Sequence, residues 1–392
     1  MRNYSEFFRF FLIFSTISLI VFGTTGFLFK KRLGLSARAN KLINYFLGFA
    51  ALVIVVGPLL YRFAETNPQS FFHQFFQFTQ YFLMGWVGVN FLVFLFLEFL
   101  QMIATPFDPN KRIFLTQGLA RGMVASTTLA SFAGLLEAHQ GPEVVNIPIQ
   151  LKTLPQSFNG IRIAQISDVH IGPLLHLSFL ENVVNQVMAL NADLIFITGD
   201  LVDGSVEQLK SQMEPLKKLK AREGVYFCTG NHEFYSGAPE WIQYLEGIGI
   251  HVFKNSNIVL ERKNLSGGTE KLLIGGVHDW HGYRFSDEYR SDAALAAKTT
   301  EIIPCKILLA HNPLCVDDAA AAGFHFQFSG HTHAGQFYPF VFLVKLRLKH
   351  NEGLYTINNQ TQLYVNRGTG YWGPPNRLGK RAEITHFTIK IA

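Results

Sequence analysis

The pattern of hydrophobic and polar positions divides the chain into two parts. Before residue 140, long apolar runs follow one another with few charges, whereas after it short apolar runs alternate with polar stretches. An apolar run of about 20 residues is long enough to cross a bilayer as a helix. Short apolar runs bounded by polar residues are typical of buried strands. The pattern therefore predicts a membrane part followed by a globular part.

Four segments of the first part are candidate membrane spans. The three clearest are residues 10–29, 42–61 and 78–103. The fourth, residues 113–136, is interrupted by Gln117 and Arg121, so an amphipathic or buried helix is the alternative to a span. We expect four spans.

Basic residues beside the spans predict their orientation, because cytoplasmic connections carry an excess of lysine and arginine. Two connections are basic, the first with Lys30, Lys31, Arg32, Arg38 and Lys41 and the third with Lys111 and Arg112. The other two flanking segments carry only Arg2, Arg9 and Arg62. The first and third connections are therefore predicted to be cytoplasmic. With four spans the globular part lies outside the cytoplasm, and with three it lies inside.

The globular part alternates between segments typical of strands and of helices. Strands are predicted at residues 161–166, 194–198, 225–228, 272–277, 307–310, 324–328 and 363–365. Helices are predicted at residues 180–190, after a capping box of Ser178 and Glu181, and at residues 209–219 and 241–245. Three regions follow from these patterns: a transmembrane region at 1–138, a linker at 139–155 and an α/β domain at 156–392.

Composition narrows the classes of protein that fit. With 48% hydrophobic and 16% charged residues, the chain is too apolar for an ordinary soluble protein. Cys228, Cys305 and Cys315 have no paired spacing, which argues against a disulfide framework or a zinc knuckle. The net charge of +6 comes without a basic cluster interleaved with aromatic residues in the globular part. We therefore expect attraction to anionic lipid head groups and no binding of nucleic acid.

Polar residues of metal-binding type follow the predicted strands. They are Asp168, His170, Asp200, Asp203, Asn231, His232, His311, His331 and His333. The strand ends are where open α/β sheets carry their sites. Carboxylate, amide and imidazole groups without thiolate suit Mn, Fe or Zn. Two ions about 3.5–4 Å apart would use this many ligands, and such pairs catalyse in-line displacement at phosphorus.

The order of these motifs resembles the calcineurin-like metallophosphoesterase superfamily, from about residue 160 to the end of the chain. Gly335-Gln336 and the run from Asn366 to Gly370 resemble a bacterial, membrane-attached branch that includes lipid precursor pyrophosphohydrolases. The stretch around Lys111-Arg112 is similar to a twin-arginine export signal, with lysine in the first position. The resemblance implies transmembrane helices followed by an α/β domain of two mixed sheets flanked by helices.

The resemblance also implies a role for each matching residue. Three side chains would bind the first of two divalent ions: Asp168, His170 and His333. Three others would bind the second: Asn231, His311 and His331. Asp200 would bridge the two ions, and His232 would protonate the leaving oxygen while Asp203 orients its ring.

One position departs from the family pattern. Gly204 follows Asp203 where related protein phosphatases place an arginine that binds phosphate. Another cation must replace that arginine, or the substrate must differ. The candidates are His278, Arg284, Arg367 and Arg377.

The function expected from these patterns is hydrolysis of a phosphodiester or pyrophosphate bond in a lipid or envelope precursor, at the extracytoplasmic face of a bacterial inner membrane. Hydrolysis of a soluble phosphomonoester is the alternative within the enzyme class. A non-catalytic metal-binding scaffold or sensor is a second alternative, and it would have a closed coordination sphere. A transporter is a third, although the spans lack paired intramembrane charges.

Overall fold

The computed structural model describes the backbone of residues 4–63, 71–103 and 109–392. Side chains are described for residues 11–57, 74–100, 102 and 116–392, so those of Lys111 and Arg112 in the signal-like segment lie outside the described residues. The chain forms two compact units. The first comprises Met1–Leu136 with Gly373–Asn376, and the second comprises Glu137–Trp372 with Arg377–Ala392.

Four long helices build the N-terminal part of the chain. They are α1 (Tyr4–Leu33), α2 (Ala37–Phe63), α3 (Phe71–Ile103) and α4 (Pro109–His139). Each contains a stretch of 21 to 27 residues that is long and apolar enough to cross a membrane. The fourth stretch, Thr116–His139, contains 18 consecutive residues with a mean hydropathy of 1.3. The prediction of four apolar helices is confirmed.

The second unit contains two six-stranded mixed sheets. In the first sheet the strand order is β1-β12-β2-β3-β4-β5, and in the second it is β10-β11-β9-β8-β7-β6. The strands of the first half are β1 (Glu143–Leu151), β2 (Ile161–Ile166), β3 (Leu194–Thr198), β4 (Val225–Cys228), β5 (His251–Phe253) and β6 (Ser256–Lys263). Those of the second half are β7 (Thr269–Gly276), β8 (Cys305–Leu309), β9 (Phe326–Ser329), β10 (Gly353–Thr356), β11 (Gln362–Val365) and β12 (Glu383–Ile391). The prediction of two mixed sheets is confirmed.

The two sheets pack face to face through apolar side chains. Phe196, Phe328 and Phe387 lie at the centre of this core, with ring centroids 5.1 and 4.9 Å apart. Helices α5 (Leu177–Ala189), α6 (Val206–Leu209) and α8 (Ala238–Gly247) pack on the first sheet, and α9 (Ala293–Ala296) and α10 (Val316–Ala321) pack on the second. Two further helices are α7 (Asn231–Ser236) and α11 (Phe340–Arg347). Strands buried on both faces read as continuous apolar runs, which is why the sequence located most of them.

Three sequence expectations are wrong. Residues 139–155 are not a linker, because β1 lies within them and pairs in parallel with β12. This strand lies at the sheet edge with alternate side chains exposed, and an edge strand tolerates Pro148. The helix expected at residues 209–219 is instead α6 followed by a short 3₁₀ turn that contains Pro215. Helix α5 begins after His176, without the predicted capping box.

Parallel pairing brings the ends of several strands together. Strands β2, β3 and β4 run parallel in the first sheet, and β7, β8 and β9 run parallel in the second. The carboxyl ends of parallel strands meet at one edge of a sheet, where open α/β sheets place their sites. The loops that carry the predicted motifs therefore emerge side by side.

Candidate metal centre

Three groups of the predicted side chains converge at this edge, one of which is His170 with Asp203 and His232. Within each group, one potential ligand atom per residue lies within 4.8 Å of the others. The first group is Asp168, His170 and His333. The second group is Asp200, His311 and His331. Imidazole and carboxylate groups in this arrangement are typical ligands of divalent transition metals.

Asp200 links the first and second groups. Its Oδ2 lies 3.0 Å from Nε2 of His311 and 4.0 Å from Nε2 of His170. Nδ1 of His311 donates to the carbonyl of Thr198 at 2.7 Å, so Nε2 faces the carboxylate. Burial opposes protonation, yet Asp200 raises the pKa of His311 well above its ordinary value. The carboxylate and the ring therefore hold a proton between them, and a divalent ion could take the place of that proton.

The backbone is strained where the ligands lie. Five candidate ligands have φ between 48° and 72°: Asp168, His170, Asp200, His331 and His333. The left-handed conformation costs an L-residue about 1–2 kcal/mol, because Cβ approaches the following carbonyl oxygen. Such strain clusters at functional sites. Here it occurs at five of the seven predicted metal ligands.

Two glycines allow backbone to approach the ligand carboxylates. A Cβ at Gly230 would collide with the carboxylate of Asp200, and a Cβ at Gly330 would collide with that of Asp168. Backbone N–H groups that follow these two glycines donate hydrogen bonds to the same two carboxylates. The His232 N–H lies 2.8 Å from Oδ1 of Asp200, and the His331 N–H lies 3.0 Å from both oxygens of Asp168. The backbone thus fixes the orientation of both carboxylates.

Asn231 supplies a test of whether metal ions fit this site. Its side chain is buried, and Oδ1 has no hydrogen-bond partner among the described residues. A buried acceptor without a partner costs free energy that a bound cation would recover. In the first group, Nε2 of His170 lies 3.1 Å from Nε2 of His333. Ring nitrogens and carboxylate oxygens that converge in this way fit a pair of divalent ions.

His232 lies beside these groups and is held by Asp203. Nδ1 of His232 lies 2.5 Å from Oδ1 of Asp203, which leaves Nε2 free to face a ligand. The ring packs edge-on against Tyr235 and Trp372. Burial disfavours the imidazolium, but Asp200 and Asp203 raise the pKa of His232 to about 9. Cations bound at Asp200 would lower this pKa towards neutrality.

Asp203 also contacts a predicted metal ligand, which the sequence did not indicate. Its Oδ1 lies 3.1 Å from Nδ1 of His170. Burial opposes ionisation of Asp203, but His170 and His232 hold its pKa well below the ordinary value. One carboxylate therefore accepts from both rings. Such a contact fixes the tautomer of a ligating histidine and directs Nε2 to the metal.

Arg377 lies fully buried behind His333. Its Nη2 donates to Nδ1 of His333 at 3.0 Å, and its Nη1 donates to the carbonyl of Arg367 at 2.7 Å. Nε donates to the carbonyl of Gly370 at 3.1 Å. Burial and Arg377 lower the pKa of His333 well below its ordinary value, so this ring reaches the centre uncharged. Nε2 of His333 could hold an ion only after losing its proton, and the Arg377 guanidinium at Nδ1 would stabilise the deprotonated ring.

The other candidate sources of charge have different surroundings. Arg367 pairs with Glu383 at 2.7 Å and with Glu143 at 3.1 Å. His278 is buried, and burial lowers its pKa to about 4, so it is uncharged at neutral pH. Arg284 is exposed. Of the four candidates, Arg377 is the one that contacts a predicted ligand.

Asp279 is a site residue that the sequence analysis missed. It is buried, its Oδ1 accepts from the His281 N–H at 2.8 Å, and its Oδ2 has no partner among the described residues. The ring of His281 lies 6.1 Å from that of His331. A signal was present, since Asp279 follows a predicted strand just as Asp168 and Asp200 do.

Comparison with known proteins identifies the class to which this fold and site belong. The model of the calcineurin-like phosphoesterase family matches residues 161–335. A Danio rerio protein named "Transmembrane protein with metallophosphoesterase domain" is 37% identical over 272 residues, which are 68% of this chain and 61% of that protein. The chain thus spans less than two thirds of that relative's length.

Two bacterial relatives match over a larger share of their own length. An uncharacterized metallophosphoesterase of Helicobacter pylori is 32% identical over 284 residues, 72% of this chain and 73% of that protein. One of Campylobacter jejuni is 28% identical over 389 residues, 97% of this chain and 99% of that protein. The chain belongs to the calcineurin-like phosphoesterase family, a metal-dependent family with transmembrane members. The resemblance inferred from the motifs is confirmed, and the chain is a membrane protein.

Proposed function

We propose that this protein is a membrane-anchored phosphohydrolase that uses two divalent ions, Mn, Fe or Zn, to cleave a phosphodiester or pyrophosphate bond. The observation that carries the proposal is the carboxylate of Asp200, which links two convergent groups of ligands. A structural metal site would need only one closed group of ligands. Two linked groups beside the partly exposed His232 favour catalysis.

The roles proposed for the ligands follow their grouping. The first ion would be held by Asp168, His170 and His333. The second would be held by Asn231, His311 and His331. Asp200 would contact both ions. When bound, the ions would activate water and neutralise phosphate charge.

The remaining steps belong to side chains of the chain itself. His232 would donate its Nε2 proton to the leaving oxygen, because Asp203 occupies its Nδ1. Asp203 would at the same time hold the ring of His170 through Nδ1. Backbone N–H groups would keep the carboxylates of Asp168 and Asp200 oriented during turnover. The residues thus divide into ion ligands, one proton donor and one carboxylate that positions two rings.

We further propose that the substrate is a lipid or envelope precursor, and that the domain faces outward from a bacterial inner membrane. If all four apolar helices span the bilayer, both chain ends would lie on one side. Basic residues of the first connection, such as Arg38 and Lys41, favour the cytoplasm for that connection. The domain would then lie outside. A membrane-impermeant maleimide should label a cysteine placed at exposed Leu265 in intact cells; labelling only after lysis would reverse the orientation.

The decisive test of activity uses the full-length protein in detergent. The protein is stripped of metal, given Mn, Fe or Zn, and assayed with chromogenic phosphate diesters and monoesters. Asp200→Asn should lower turnover by more than about 100-fold, the range for removing one group that stabilises transition-state charge. Asp287→Asn, on an exposed turn, is the matched control. Undiminished activity in a metal-loaded, folded Asp200→Asn protein would refute the bridging role.

A further inference from the structure

An apolar surface lies on helix α11, next in the chain after the loop of His331 and His333. Residues 137–392 expose 16 large hydrophobic side chains. Five of them fall within nine residues: Tyr338, Phe340, Phe342, Leu343 and Leu346. Leu346 is 84% exposed, whereas Val341 is fully buried. Contiguous exposed apolar side chains mark a docking surface. We call residues 338–349 the α11 surface.

The α11 surface also carries positive charge. Lys345, Arg347 and Lys349 are exposed, and no acidic residue lies between Gln336 and Asn351. None of these three cations forms an ion pair in the described part of the chain. Lysine and arginine near a membrane surface are attracted to anionic lipid head groups.

We propose that the α11 surface docks on the lipid bilayer that holds this protein's own transmembrane helices. Phe342, Leu343 and Leu346 would enter the head-group region, and the cations would contact anionic lipid phosphates. The membrane helices keep the domain at high effective concentration near the bilayer, so a short helix suffices for docking. A second copy of the chain is a poorer occupant, because a two-fold contact would bring the same cations together.

Docking of α11 would act directly on the metal-centre loop. The Val341 N–H donates to the carbonyl of Phe337 at 3.2 Å, and the Phe337 N–H donates to that of Gly335 at 2.6 Å. A Cβ on Gly335 would lie 2.5 Å from Cα of Val341, so the loop that carries His333 packs on the helix backbone. A docked helix would hold this loop near the plane of the lipid phosphates. The inference that lipid phosphates are then the substrate rests on the proposed function. The docking of α11 does not depend on that function.

The test of docking measures lipid contact at one labelled position. An environment-sensitive fluorophore is attached to Leu346→Cys in the full-length protein, reconstituted in bilayers that contain brominated lipids. The three native cysteines are buried, and labelling of the unsubstituted protein checks that they stay unreactive. Leu265→Cys, on another exposed apolar side chain of the same unit, is the control position. We expect brominated lipids to quench the label at residue 346 at least several-fold more than at residue 265.

Charge reversal tests the role of the cations. Lys345→Glu with Arg347→Glu should lower the ratio of docked to undocked protein at least 25-fold in anionic bilayers, about fivefold for each cation lost. Lys298→Glu with Lys390→Glu changes the net charge equally at other exposed positions and should leave quenching unchanged. Equal quenching at residues 346 and 265 would overturn the proposal. So would protection of residue 346 that depends on protein concentration, because a second copy would then cover the surface.

Activity with a small soluble phosphate ester separates the two proposals. The α11 charge-reversal variant should keep wild-type turnover of that ester. Quenching at residue 346 in a protein that hydrolyses no ester would support docking and count against the proposed function. Turnover without preferential quenching would support the function and refute docking.

Discussion

The contact of Asp203 with two rings yields the sharpest prediction. Its Oδ1 lies 2.5 Å from Nδ1 of His232 and 3.1 Å from Nδ1 of His170. Asp203→Asn keeps the shape of the side chain but removes its negative charge. One substitution should therefore affect both the proton donor and a ligand of the first ion.

The expected sizes of the two effects differ. A hydrogen bond to a charged group contributes about 1.5–3 kcal/mol, against about 1 kcal/mol for a neutral one. Losing the carboxylate behind a ligating histidine typically lowers metal affinity about 10- to 100-fold. Losing an oriented general acid lowers turnover about 10²- to 10⁴-fold. The loss of turnover should appear only when the leaving group needs a proton.

The assay compares Asp203→Asn with His232→Gln, which removes the proton donor alone. Ester substrates with nitrophenolate and alkyl leaving groups are hydrolysed at saturating metal, and metal affinity is measured separately by titration. We expect both variants to lose most activity with the alkyl ester, and only Asp203→Asn to bind metal more weakly. Unchanged metal affinity in Asp203→Asn would refute the proposed action on His170.

Three further predictions concern the surroundings of the centre. Arg377→Met should lower the free energy of unfolding by about 1–3 kcal/mol, because it leaves buried acceptors of His333, Arg367 and Gly370 without a donor; thermal unfolding measures this, and Arg377→Lys should rescue little because lysine lacks the planar set of donors. The pKa of His278 is about 4 in the folded protein, below its value of about 6.5 in the unfolded chain. His278 therefore does not affect the free energy of unfolding above pH 6.5. As the pH falls from 6.5 to 4, the unfolded chain binds a proton that the folded protein does not, and the free energy of unfolding falls by about 1.4 kcal/mol per pH unit. His278→Gln should therefore lose less stability than the wild type between pH 7 and 5, and identical losses would contradict the assignment. Glu233 accepts from the backbone N–H groups of Asp200, Leu201 and Gly230, so Glu233→Gln should cost about 1–3 kcal/mol of stability, since its amide NH₂ would face an N–H donor.

Most strands of the domain could be predicted from the sequence because they are buried on both faces. The expected ranges 161–166, 194–198 and 225–228 coincide with β2, β3 and β4. Strand β1 was missed because it lies at a sheet edge and alternates with polar side chains. Strand β12 comes from the C-terminal end of the chain and pairs with β1 and β2, between which it lies. Pairing over such a separation leaves no local pattern.

The sequence by itself determined the types of ligand and their places after the strands. Short motifs such as Gly-Asp, Gly-Asn and Gly-His are visible in the sequence because each ligand directly follows its glycine, although the carboxylates that Gly230 and Gly330 admit belong to distant residues. The sequence also determined the apolar helices, since length and hydropathy are properties of a single segment.

Only the tertiary structure decided how the motifs share their contacts. It gave Asp203 a second partner in His170, placed the buried guanidinium of Arg377 behind His333, and brought Asp279 to the same edge. Arg377 lies 44 residues from His333 along the chain. Such contacts depend on which strands pair and where their loops meet, and hydrophobic periodicity carries no information about either.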